Sequence, residues 1–181
     1  MAVKHNNLYL YLALVCFLGI IIIFIFDGYM GVYDRLIMDN GQYKQTIESD
    51  QWAQQEKYGG IVSVGLDRSG QMDFTYTVAN HRFSAYTDSL EVTLWLNKVK
   101  TATLLSRQLS IPAFDKEVLT WSINATQIVP ASLPAEQSYN INMRIDRSNV
   151  EREVLVNIYP SSNTIKVVPP GVAIPAPAPT R

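Results

Sequence analysis

The chain is poor in the residues from which reactive sites are usually built. Among 181 residues there are one cysteine and two histidines. A single thiol, Cys16, excludes an intrachain disulfide and any metal site that needs a thiolate pair. Outside the apolar N-terminal region the one histidine is His81, in the turn sequence Asn80-His81-Arg82. Nucleophilic catalysis needs a base held beside its nucleophile, and a solvated turn residue does not supply one. Net charge is lacking too: 15 Lys+Arg stand against 16 Asp+Glu. That balance excludes the concentrated basic face that captures nucleic acid. No cluster of four or more basic residues marks an anionic-lipid site next to the apolar run. The carboxylates are scattered over expected turns and polar faces, with no spacing that converges two of them. Asp67-Arg68-Ser69-Gly70-Gln71-Met72-Asp73 lacks the alternating oxygen ligands and terminal glutamate of a calcium loop. No enzyme activity, cofactor or metal is therefore expected.

What the chain does have is a long uncharged run, LYLYLALVCFLGIIIIFIF, from Leu8 to Phe26. It contains no proline, and at about 1.5 Å per residue it extends roughly 28 Å, close to the ~30 Å of a bilayer's hydrocarbon core. Tyr9 and Tyr11 lie at one end and Phe26 and Tyr29 at the other, where amphipathic rings favour the headgroup level. The run is longer than the ~7–15 apolar residues of a signal peptide and no small-x-small cleavage site follows it. Leu14 and Val15 before Cys16 do not fit a lipoprotein site. An uncleaved transmembrane anchor over 8–26 is expected. Lys4, His5 and the α-amino group precede it, whereas Asp27, Asp34 and Arg35 follow. The positive-inside bias then places the N-terminus in the cytoplasm and the rest of the chain outside. A cytoplasmic stub of residues 1–7 is expected, too short to form an output domain.

Residues 27–60 read as a juxtamembrane spacer. Leu36 and Met38, then Asn40-Gly41, then Tyr43, Gln45 and Ile47 suggest a hairpin closed by a two-residue turn, because Asn-Gly supplies positive φ angles. Over 61–160 the hydrophobic period becomes two. Met72, Phe74, Tyr76 and Val78 alternate with polar residues, as do Leu90 to Leu96, Leu119 to Ile123, Tyr139 to Ile145 and Val154 to Ile158. One apolar and one polar face is what antiparallel strands around a core require. Turn chemistry falls between the runs, at Asp67 to Gly70, Asn80-His81, Asn97-Lys98, Pro112 to Lys116 and Asp146 to Asn149. The expected fold class is mainly β: a transmembrane helix followed by an immunoglobulin-like antiparallel β-sandwich, with Trp121 in its core. Residues 161–181 hold Pro169, Pro170, Pro175, Pro177 and Pro179 and read as an extended tail.

Trp52, Tyr58, Tyr86 and Trp95 are the candidate binding surface, an aromatic patch for a glycan or protein partner. Trp95 is the sharpest of them, on the strand face opposite Leu94 and Leu96. Asn124-Ala125-Thr126 matches a glycosylation sequon. The strand Tyr76-Thr77-Val78-Ala79-Asn80, the long strand Leu90 to Leu96 and the segment Arg152-Glu153-Val154-Leu155-Val156 resemble extracytoplasmic immunoglobulin-like domains of single-pass prokaryotic membrane proteins. The resemblance covers Met72 to Tyr159 and implies a fold and a location, not an activity. The plan of one helix plus a sandwich is also similar to that of archaeal filament-anchoring proteins. The function expected is that of a membrane-anchored extracytoplasmic interaction module with a protein partner. The alternatives are a glycan or small-ligand binding domain and an accessory subunit of a membrane complex.

Overall fold

The computed structural model describes the backbone of residues 3–29, with side chains for 8–23 and 25, and then residues 31–50, 52 and 62–160. The expected tail, Met30, Gln51, residues 53–61 with Tyr58 among them, and the first two residues lie outside the described residues. Helix α1 spans Val3–Tyr29. Strands follow at β1 (Val32–Asp39), β2 (Lys44–Glu48), β3 (Val62–Asp67), β4 (Gln71–Asn80), β5 (Tyr86–Leu96), β6 (Val99–Ile111) and β7 (Lys116–Asn124). A short helix α2 (Ala125–Ile128) precedes β8 (Tyr139–Arg147) and β9 (Val150–Tyr159). Two sheets form, in the orders β2-β1-β4-β7 and β3-β9-β8-β5-β6. Every pairing is antiparallel except β3 with β9. The chain is a mainly β sandwich.

The alternation expected from the sequence holds. Phe74, Tyr76, Val92, Met143, Val154 and Val156 are fully buried, while most of their strand neighbours are exposed or partly so; Thr77, Thr93 and Asn157 are the buried exceptions. Each such aliphatic side chain contributes on the order of 1.5–3 kcal/mol through burial. Trp121 lies in this core, stacked on Phe74 with ring centroids 5.6 Å apart and planes within 6°. Its indole N–H donates to Met143 Sδ at 3.4 Å, which satisfies the one polar atom that burial would otherwise penalise.

Three local features go beyond or depart from the sequence reading. The hairpin expected as part of a spacer is instead built into the sandwich: β1 pairs with β4 along its whole length, and Leu36, Met38 and Ile47 are core residues. Its loop has four residues rather than two. Asn40 Oδ1 accepts from the backbone of Gln42 and Tyr43 at 3.1 and 2.7 Å, and Gly41 takes the positive φ of 81°. Strand β6 carries no clear apolar–polar alternation because it is an edge strand, and most of its side chains are exposed on both faces. Asn124 of the sequon caps α2, its Oδ1 accepting from Thr126 N and Thr126 Oγ1 at 3.0 and 2.7 Å.

The register places the two chain ends of the domain at opposite poles. Val32 pairs with Asn80, so the start of β1, the β4–β5 loop, the β6–β7 loop and the β8–β9 turn share one pole. The β3–β4 turn and the end of β9 share the other, where Arg68 N donates to Tyr159 O. Helix α1 leads into the first pole. Among the described residues, whose side chains on α1 run unbroken only over 8–23, no helix is long and apolar enough to cross a membrane.

Candidate functional site

Toward the pole where α1 joins, the inward-facing rows run out of apolar residues. On β1 the inward series Met38, Leu36 ends in Asp34; on β8 Met143, Ile145 ends in Arg147; on β9 Val156, Val154 ends in Arg152. The three charges come from both sheets and meet inside the sandwich. Arg147 Nη2 and Arg152 Nε lie 3.3 and 3.1 Å from Asp34 Oδ2. Tyr76 Oη donates to the same oxygen at 2.8 Å, and Ser49 Oγ donates to Oδ1 at 2.6 Å. The Asp34 and Arg147 side chains are 1% and 2% exposed.

Burial works to raise the Asp34 carboxyl, but the hydrogen bonds from Arg152 and Ser49 and the Arg152 charge outweigh it and hold the group below the usual carboxylate range. Tyr76 is driven well above an ordinary phenol, first by burial and then by the adjacent Asp34 charge. Two charged arginines against one carboxylate leave a positive excess, which a second carboxylate offsets from nearby. Arg147 Nη1 donates to Tyr86 Oη at 3.4 Å, and Tyr86 Oη donates to Asp88. Asp88 also accepts from Ser148, tying the β8–β9 turn to β5.

The expected aromatic patch is dispersed by this arrangement. Trp52 is 2% exposed and lies under Arg152, with the guanidinium carbon 5.5 Å from the ring centroid. It is a core residue and not a surface one, because it shields a buried cation from water. Tyr86 is half-buried and belongs to the ionic network. Trp95 lies at the far end of β5, nine residues from Tyr86, which at about 3.3 Å per residue is roughly 30 Å. Its indole donates to Thr93 Oγ1 at 2.7 Å, and Arg144 covers the ring at 4.8 Å. Tyr58 lies outside the described residues. Trp52 and Tyr86 thus meet around the arginines, and Trp95 stands apart.

An open groove of about 540 Å³ lies on the outer face of the β1–β4 sheet, at the same pole. Arg35, His81 and Lys116 line it together with Glu48, Ser49 and Asp50. A smaller hollow of about 240 Å³ shares Ala79, His81 and Lys116 with it and reaches Phe114. Mixed charge over a sheet surface suits contact with a protein segment better than enclosure of a small molecule. Among the described residues no group of three or more His, Cys, Asp or Glu has metal-binding geometry.

No protein-family model matches the chain. No curated protein matches it either. Among solved structures the chain is similar to the β-glucosidase EmGH1 from Erythrobacter marinus, at 8% identity and a TM-score of 0.40, over 52% of this chain and 14% of that one. It is similar to a β-glucosidase from Listeria innocua in complex with glucose, at 10% identity and a TM-score of 0.39, over 55% and 15%. A third is the periplasmic chaperone SfaE, at 12% identity and a TM-score of 0.37, over 56% of each chain. The chain spans less than two thirds of each, and at these scores none carries a functional argument.

The ionic network was missed by sequence reasoning, although a signal for it exists. Extending each period-two row by one more inward position lands on Asp34, Arg147 and Arg152. By local pattern alone Asp34 belongs with the charges flanking the apolar run, and Arg152 with the head of the segment Arg152-Glu153-Val154-Leu155-Val156.

Proposed function

We propose that the chain is a single-pass membrane-anchored module, with its N-terminus in the cytoplasm and an immunoglobulin-like sandwich outside, acting by contact with protein partners in the membrane or envelope. The observation that carries this reading is the surface of α1. Its described large apolar side chains are all exposed, from 37% at Ile21 to 72% at Leu10, so neither sheet covers them. A helix apolar on every side needs an apolar solvent. The backbone stays helical over 27 residues, about 40 Å, and the uncharged sequence Leu8 to Phe26 lies within it. The immunoglobulin-like build is supported by connectivity: β4 and β7 pair in one sheet, β9, β8 and β5 in the other, and β3 joins β9 in parallel.

Contact, rather than chemistry, fits a domain whose most unusual polar residues are sealed inside it. The groove beside Arg35, His81, Lys116, Glu48 and Asp50 is the surface we assign to a partner. Two experiments test the reading. In alkaline carbonate extraction the full chain should stay with the membrane pellet; release into the supernatant sinks the anchor. Crosslinking in native membranes from a cysteine replacing Thr77, inside the groove, should trap a distinct protein. Trapping of only this chain or of lipid removes the partner reading.

A further inference from the structure

From the sandwich's aromatic surface next to α1, and resting on the proposed anchor, we infer that the domain does not stand off from the bilayer but seats its Phe83–Phe114 pole on the lipid interface. Gly31 is two residues beyond the end of α1, so it lies within about 7 Å of that end. Gly31 O accepts a hydrogen bond from His81 N at 3.3 Å, which fixes the β4–β5 loop beside the point where the chain leaves the helix. Asn80 then joins that loop to the next. Its buried amide Nδ2 donates to Ser84 O at 2.8 Å and Pro112 O at 2.9 Å, and its backbone N donates to Asp115 O at 2.8 Å. Two residues, not a spacer of ~30, therefore lie between the end of α1 and this pole.

Each of the two loops presents a phenylalanine outward. Phe83 and Phe114 are 45% and 58% exposed and pack edge to face, with ring centroids 4.8 Å apart. Phe114 is held at φ 57°, a left-handed conformation that disfavours a bulky side chain. Tyr33, 50% exposed, extends the aromatic surface toward the groove. Exposed apolar rings on a strained loop are a poor match for water and a good one for the headgroup–acyl boundary. Because α1 would hold the pole at the bilayer, insertion is intramolecular, and even a weak preference suffices. The consequence is orientational. The groove would open along the membrane plane, toward proteins embedded beside this one.

The test is a nitroxide on full chain in phosphatidylcholine vesicles, with Cys16→Ala removing the native thiol. A label at Asp115→Cys should be relaxed more by oxygen than by a water-soluble nickel chelate, and Phe83→Ser with Phe114→Ser should reverse that preference. A label at Thr101→Cys, on the opposite pole, should report water. A label at Ile21→Cys separates the two proposals. If it lies in lipid while position 115 is aqueous, the seating is overturned and the anchor stands. If it is aqueous, the anchor falls and the seating with it. A position-115 label shielded from both reagents, as contact with a second copy would produce, also overturns the seating.

Discussion

Asp34 and Arg147 are 113 residues apart in sequence, and they meet with Arg147 Nη2 3.3 Å from Asp34 Oδ2, at a point where both side chains are almost fully removed from water. One lies on a strand of each sheet. Together with Arg152 they replace, at this pole, the apolar packing that joins the sheets elsewhere. Such a cluster holds only while it is complete, since desolvation of each ion must be offset by its partners.

Removing the shared carboxylate tests that dependence. Asp34→Ala leaves two buried guanidinium groups facing each other without their anion. The expected loss is about 3–5 kcal/mol, read from the urea midpoint. Replacing the whole cluster, with Asp34→Leu, Arg147→Met, Arg152→Met and Tyr76→Phe, should recover most of it. A combined variant no more stable than Asp34→Ala alone would show that the charges do more than neutralise one another.

The same carboxylate sets a pH dependence. Its folded-state pKa lies below the unfolded value of about 3.9. Its stabilising contribution is therefore complete above that value and disappears as pH falls through the folded one. Stability should decline steeply below about pH 4, and the combined apolar variant should show a shallower decline. Superimposable acid titrations of the two proteins, followed by circular dichroism, would rule Asp34 out as the cause.

Asn80 is expected to matter more than its strand-end position suggests. Asn80→Ala leaves the carbonyls of Ser84 and Pro112 without their amide partner, at a cost of about 1–3 kcal/mol. Hydrogen exchange should quicken in the β4–β5 and β6–β7 loops together. Acceleration in one loop alone would contradict the cross-brace.

The β5–β6 turn is open to improvement. Asn97 and Lys98 both have positive φ, 49° and 67°, the arrangement of a type I′ turn that favours Asn-Gly. Lys98→Gly relieves the side chain's clash with its own backbone and should raise stability by up to about 1 kcal/mol. An unchanged or lowered thermal midpoint would mean that glycine's entropy in the unfolded chain cancels the gain.

Much of the fold was legible because alternation is a local property. Phe74, Tyr76, Val92, Met143 and Val156 announce their burial through their neighbours, and Asn97-Lys98 and Ser148-Asn149 mark their turns through residue type. Strand β6 was not legible, since an edge strand exposed on both faces has no reason to alternate. Nor was the place of the 32–48 hairpin. Its pattern states that two strands pair, but not that β4 will accept them as neighbours.

The aromatic residues show the division most clearly. Composition and spacing alone determined a chain with one thiol and two histidines, one long uncharged run and a period-two domain. Those conclusions follow from residue identity and from backbone geometry, which act over a few positions. Whether Trp52 faced solvent or covered Arg152, and whether Asp34 flanked a helix or sat between two arginines, depended on contacts across a hundred residues or more. Only the packing of one sheet on the other decides such contacts, because burial and ion pairing are properties of what is near in space.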